Sequence, residues 1–252
     1  MASLDMRPER WYPFAALALL LASWHAAALW ATSPLLPTPV QVLKVFIVEV
    51  AEGGLLYHLG ITMARLAVSF VLAMTLGGAL GVMLGRYRAL DRFFDIWLML
   101  FLNIPALVTI ILCYVWLGLS EAAAITAVVI NKVPSVVVTL REGTRALDTD
   151  LLEMARAYRF GSWKTLRHVI WPQLLPYMMA ASRTGLALIW KIILVVELLG
   201  RSNGMGYQLQ LFFQMFDVSA ILAYTFAFVI VVQTVESFVF KPLDLRSRRW
   251  RR

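Results

Sequence analysis

Apolar runs of roughly 20 residues alternate with short polar stretches along the chain, and each run is long enough for a helix to cross a hydrocarbon core of about 30 Å. The runs are continuous, without the alternation of a membrane strand, so they predict helices rather than a barrel. The first covers residues 13–31; it exceeds a signal-peptide core and no clear A-x-A site follows, which predicts a retained span. Next comes Ser33-Pro34-Leu35-Leu36-Pro37-Thr38-Pro39, a stiff linker in which each proline disfavours helix in the residue before it. Residues 40–58 place Gln41, Lys44, Glu49 and Glu52 among apolar residues at helical spacing, predicting an interfacial helix.

Five more spans are predicted, at 59–84, 93–116, 122–140, 177–199 and 218–240. The second span carries Gly77, Gly81 and Gly85 at a spacing that lets two helix backbones approach closely. Pro105 is expected to kink the third span, and Asn131-Lys132-Val133-Pro134 to break the fourth. Residues 200–217 are rich in glycine, serine and asparagine and predict a loop. The expected fold is therefore an all-α integral membrane protein with six transmembrane helices in one transmembrane domain, 1–252.

Composition agrees: 61% of the 252 residues are hydrophobic, 15% are charged and the mean hydropathy is +0.75. A soluble domain carries about 25% charged residues. The net charge of +8 would suggest nucleic acid in a soluble protein, but the interleaved surface aromatics of a nucleic-acid groove are few. The basic residues have another pattern. If the N-terminus is cytoplasmic, the pieces 1–10, 85–92, 141–168 and the tail 241–252 hold 17 of the 23 Lys and Arg on one side. That asymmetry predicts both termini and the 141–176 segment in the cytoplasm. The single cysteine, Cys113, lies in an apolar run and offers no disulfide or metal framework.

The polar segment 141–176 lies between spans four and five and reads as a helical hairpin. Asp150 and Glu153 have capping-box spacing, Gly161 suits a turn that needs positive φ, Ser162 can cap a second helix, and Pro172 is expected to end it. Helices this short need a partner or a membrane face. Arg156, Arg159, Lys164, Arg167 and His168 give a basic face, which suits anionic lipid or an acidic partner groove.

This segment resembles the EAA loop of binding-protein-dependent ABC importer permeases, most closely the nitrate/sulfonate/taurine group. Glu153-Met154-Ala155 stands for Glu-Ala-Ala and Ile170-Trp171-Pro172 for the closing Ile-x-Pro. The likeness extends to Leu36-Pro37-Thr38-Pro39, Asn103-Ile104-Pro105, Trp116-Leu117-Gly118-Leu119, and Glu197 with Ser202-Asn203-Gly204-Met205-Gly206-Tyr207. There are departures. Arg159 stands at the family glycine position with Gly161 two residues later, Met154 replaces an alanine, and Lys132 lies where the family is mostly apolar.

The resemblance implies a multi-pass permease of the bacterial inner membrane, not itself an enzyme, in an ATP-driven importer. Its expected partners are a dimer of ABC ATPase subunits, a second permease copy as a homodimer, a periplasmic substrate-binding protein and the lipid bilayer, with no nucleic acid. ATP and Mg²⁺ would be bound by the ATPase and no cofactor by this chain, in keeping with the lack of a G-x-x-x-x-G-K-[ST] stretch. It implies an ATPase-coupling set of Glu153, Met154, Ala155, Arg156, Ala157, Tyr158, Arg159, Gly161, Ile170 and Pro172. The substrate class expected is a small anionic organic solute, sulfonate-, taurine- or nitrate-like or an aromatic acid.

Candidate translocation-pathway residues come from polar groups within spans: Asn103, Asn131, Lys132, Lys191 and Glu197. Lys132 reads either as an attractor of anionic substrate or as half of an ion pair with Glu197 or Glu236. Asn103 reads as a pore contact or an interhelical hydrogen bond. Two other classes remain open on the sequence: an integral-membrane enzyme, against which the scattered His25, His58 and His168 count, and a scaffold whose hairpin recruits a different partner.

Overall fold

The computed structural model describes residues 11–240, so the basic tail and the N-terminal Arg7 and Arg10 lie outside the described residues. Among the described residues the chain is all-helical. Eleven helices follow in order: α1 (Tyr12–Ala31), α2 (Pro39–Ala51), α3 (Leu55–Arg86), α4 (Arg88–Asn103), α5 (Ala106–Leu117), α6 (Glu121–Arg145), α7 (Thr149–Ala157), α8 (Ser162–Thr165), α9 (Trp171–Gly200), α10 (Met205–Gln214) and α11 (Val218–Val235). One π turn, Leu166–Ile170, joins α8 to α9, and another, Glu236–Phe240, follows α11. Five helical stretches are long and apolar enough to cross a membrane, and six if α4 and α5 count as one bent span. Ser162–Gly200 runs for 39 residues, about 58 Å at 1.5 Å per residue, so it outreaches a core of about 30 Å.

The chain forms two compact units, each with its own packing. One comprises residues up to Leu56 together with Leu209–Phe228. In it, Thr38 and Gln41 form a reciprocal capping box at the start of α2. Buried Tyr224 donates its hydroxyl to Glu49 Oε2 at 2.9 Å, and Trp24 lies 6.0 Å from Phe226, ring to ring.

The other unit, Tyr57–Gln208 and the chain from Val229, holds the rest. Its centre is α3, α6 and α9, with Val136, Leu140 and Ala181 buried and Met74 and Met178 against them. The glycine stripe works as its spacing predicts. A Cβ on Gly77 would stand 2.7 Å from Val136 Cβ, one on Gly81 2.8 Å from Leu140 Cβ, and one on Gly85 2.5 Å from Thr144 Cβ. The three glycines thus let α3 lie close against α6 at three successive turns.

Several expectations about proline are corrected. The third span is not one kinked helix. Ile104 (ψ 125°) and Pro105 (ψ 132°) are both extended, as proline imposes on the residue before it, and α4 and α5 meet at 96°. The fourth span is not broken: α6 runs through Pro134 and on to Arg145. In an apolar setting the loss of one helical bond costs less than exposing several backbone groups, so the helix continues. Pro172 does not end a helix either. It lies in the first turn of α9, where its missing N–H costs little, directly after the π turn in which Trp171 N–H bonds Leu166 O.

Other boundaries also move. The interfacial helix predicted at 40–58 ends at Ala51, and α3 takes over from Leu55. The loop predicted at 200–217 contains α10.

Candidate functional site

Two polar constructions stand out in the larger unit: the hairpin of α7 and α8, and a buried charge network around Glu197.

The hairpin begins at Asp148, whose carboxylate accepts from the backbone N–H groups of Asp150 (2.8 Å) and Leu151 (3.3 Å). The cap is therefore Asp148 and not Asp150, and Glu153 is freed from the capping role. Glu153 is exposed and makes no hydrogen bond or ion pair among the described residues. Ala155 is the anchor: it is buried, while Met154, Arg156, Ala157 and Tyr158 around it are exposed. Leu151, Met154 and Tyr158, at helical spacing, form an apolar face in the open, and Trp163 after the turn is also exposed.

The turn is made by Arg159, with φ 53°, while Gly161 is ordinary extended backbone at φ −65° and ψ 159°. The expectation that Gly161 carries the positive φ is overturned. The left-handed residue sits at the family glycine position, so the arginine there leaves the turn in register. Phe160 N–H closes the end of α7 by bonding Ala155 O at 2.8 Å, and Lys164 Nζ lies 4.1 Å from the centre of the Phe160 ring. Ser162 makes no side-chain cap, because the chain enters α8 from Gly161. Ile170 is half-buried and Pro172 exposed at the foot of α9. Gln173 ties the hairpin to that foot, accepting from Asp148 N–H at 2.8 Å and donating to Val169 O at 2.9 Å.

The second construction joins the start of α3, the start of α6 and the end of α9. Arg65 donates to Glu197 at 2.7 Å and to both oxygens of Glu121 at 2.6 and 2.8 Å. It also bonds the backbone and side chain of Asn203. Glu197 is fully buried and accepts further from Thr62 Oγ1 and Gly206 N–H, each at 2.9 Å. Arg201 adds a contact to Glu121 at 2.5 Å, and His58 Nδ1 accepts Gly204 N–H at 3.0 Å. Gly204 has φ 107°, and a Cβ there would run into the Glu197 carboxylate. The Ser202–Tyr207 motif thus folds its backbone over a buried carboxylate. Sequence reasoning listed Glu197 as a pathway group and missed the network. Its signal was topological: Arg65, Glu121, Glu197 and Arg201 all fall near ends of spans that meet at one end of the bundle.

The remaining pathway candidates are dispersed. Lys132 is buried and, among the described residues, its Nζ bonds only Ser135 Oγ, at 2.7 Å, with its stem against Gly185. Its expected pairing with Glu197 or Glu236 is overturned: those carboxylates bind Arg65 and Arg183, each at 2.7 Å. Asn103 is exposed and donates to Met99 O within α4 at 2.7 Å, so it makes no interhelical hydrogen bond among the described residues. Asn131 is half-buried and bonds Ala127 O at 2.8 Å in its own helix. Lys191 is exposed on α9.

Comparison with known proteins decides the family. Residues 73–241 match the family described as binding-protein-dependent transport system inner membrane component. The chain belongs to that family. It is similar to a protein of Escherichia coli named as an aliphatic sulfonates transport permease, at 32% identity over 75% of this chain and 72% of that one. A protein of the same name from Bacillus subtilis is 29% identical over 87% of this chain and 79% of its own length. Permeases named for taurine and nitrate are further relatives, so this ABC importer permease falls in the nitrate/sulfonate/taurine group. In fold it resembles the inward-facing MetNI methionine ABC transporter, with a TM-score of 0.63 and 20% identity over 77% of this chain and 95% of that one. Its long apolar helices and these relatives make it an integral membrane protein.

Proposed function

We propose that this permease takes a small anionic organic solute, of the sulfonate, taurine, nitrate or aromatic-acid kind, from a periplasmic binding protein and passes it to the cytoplasm across the bacterial inner membrane. A separate pair of ABC ATPase subunits, binding ATP and Mg²⁺, drives the cycle, and two copies of the chain form the pore. The observation that carries this reading is the EAA-like segment folded as an exposed helix–turn–helix on a buried Ala155, with the left-handed residue at the family glycine position. Glu153, Met154, Arg156, Ala157, Tyr158, Arg159 and Gly161 are the groups this hairpin offers to an ATPase cleft, and Ile170 and Pro172 set its foot. The concentration of Lys and Arg, 17 of 23, in the termini, the 85–92 turn and the hairpin supports cytoplasmic placement of all of them.

Within the membrane, Lys132 is the group best suited to meet an anion. A buried cation with one hydroxyl partner and no carboxylate among the described residues is poorly compensated, and an anionic solute would complete it. Glu197 serves the network instead, as the structural support of the Ser202–Tyr207 segment.

The test is uptake in proteoliposomes containing the permease and its ATPase. ATP-dependent accumulation of an alkanesulfonate or taurine, requiring the binding protein and reduced at least tenfold by Lys132→Met, is the expected result. Uptake without ATP would contradict the importer reading. Uptake unchanged by Lys132→Met in an assembled complex would remove Lys132 from the pathway.

A further inference from the structure

A cavity of about 650 Å³ opens between the α3–α4 turn and the α6–α7 junction. Its lining includes Arg86, Arg88, Arg92, Arg145, Thr149 and Leu152. The one acid in its wall, Asp91, is already engaged by Arg141 (3.0 Å) and by Arg145. Arg86, Arg88 and Arg92 make no ion pair among the described residues, and all three are exposed and line the cavity. The wall also carries the first turn of α4, whose N-cap Tyr87 supplies no side-chain bond to the free backbone N–H groups.

From these observations we infer that the cavity is a binding site for a phosphate group, carried either by an anionic phospholipid headgroup or by free phosphate. Arginines that only marked membrane orientation would need no common cavity; here three unpaired guanidinium groups share one, of a size that holds a small polar ligand. Guanidinium forks match phosphate oxygens two at a time, and basic pockets among the cytoplasmic ends of spans suit anionic headgroups. The site goes beyond the transport reading and does not depend on it. Its wall includes Thr149 and Leu152 of α7, so an occupant tethers the hairpin to the α3–α4 turn.

The test is native mass spectrometry of the full chain in detergent, titrated with phosphatidylglycerol, phosphatidylcholine or inorganic phosphate. Wild type is expected to retain phosphatidylglycerol over phosphatidylcholine, and the variant Arg86→Gln/Arg88→Gln/Arg92→Gln to lose on the order of 100-fold in affinity. A control with equal charge loss outside the cavity, Lys44→Gln/Lys164→Gln/Arg167→Gln, should keep the preference for phosphatidylglycerol and lose far less affinity than the cavity variant. Inorganic phosphate bound in place of lipid, and lost in the same variant, would assign the site to free phosphate. If the triple variant does not fold, the single variant Arg88→Glu and displacement of lipid from wild type by phosphate give the same reading. Equal loss in the variant and the control, or no preference for phosphatidylglycerol and no phosphate binding in wild type, would overturn the site.

Discussion

Arg159 holds a left-handed conformation that costs a residue with a Cβ about 1 kcal/mol, and it does so where its relatives' pattern has glycine. Arg159→Gly should therefore leave the fold of the hairpin intact; both variants lose the guanidinium, so Arg159→Gly should bind the ATPase several-fold more tightly than Arg159→Val, which adds a β-branch at φ 53°, in a binding titration. Gly161→Pro should be tolerated, since φ −65° is already proline's own. Loss of binding in Gly161→Pro with retention in Arg159→Val would reverse the assignment of the turn. Arg65 and Glu197 make a second test. Removing Arg65 strands the buried Glu197 carboxylate, at about 3–5 kcal/mol, whereas removing Glu197 leaves Arg65 its pair with Glu121 and costs less. Arg65→Met should lower the melting temperature sharply in detergent, Glu197→Leu should lower it less, and the double variant should lose less than the sum of the two. Additive losses would mean the pair is not coupled.

The glycine stripe on α3 is a case in which the pattern was legible, because a close approach needs small residues at a fixed spacing and nothing else. Gly81→Ile should cost about 1–3 kcal/mol by overpacking against Leu140 and Val137, whereas Gly78→Ile, facing open space three residues earlier, should be nearly neutral in the same melting experiment. Prolines were less legible. Pro105, Pro134 and Pro172 read as a kink, a break and a stop, yet the first breaks a span, the second lies within an unbroken helix and the third lies in the first turn of one. Their effect depends on what surrounds the freed carbonyl and on the φ/ψ of the preceding residue, neither of which is written locally. The same limit hid Asp148 as the cap of α7, with Asp150 two residues away offering the same chemistry. It hid the Arg65 network too, since its partners Glu121, Glu197 and Asn203 lie 56 to 138 residues off and only the packing of three helix ends brings them together.

For the whole permease, the all-helical membrane architecture and the family were legible, because hydropathy and the EAA-like motif each act over long stretches, while the six-span count holds only if the bent pair α4 and α5 is one span. The central claim is that the hairpin between α6 and α9 is where the ATPase couples to the membrane helices. The most direct measurement is co-purification in detergent of the full chain with a candidate ABC ATPase subunit from the same genome, comparing wild type with Glu153→Arg and with Ala155→Arg, which removes the buried anchor of α7. The account predicts that wild type retains the ATPase and that both variants lose it while still inserting in the membrane. An ATPase that stays bound to both variants, or never binds the wild type, would contradict it.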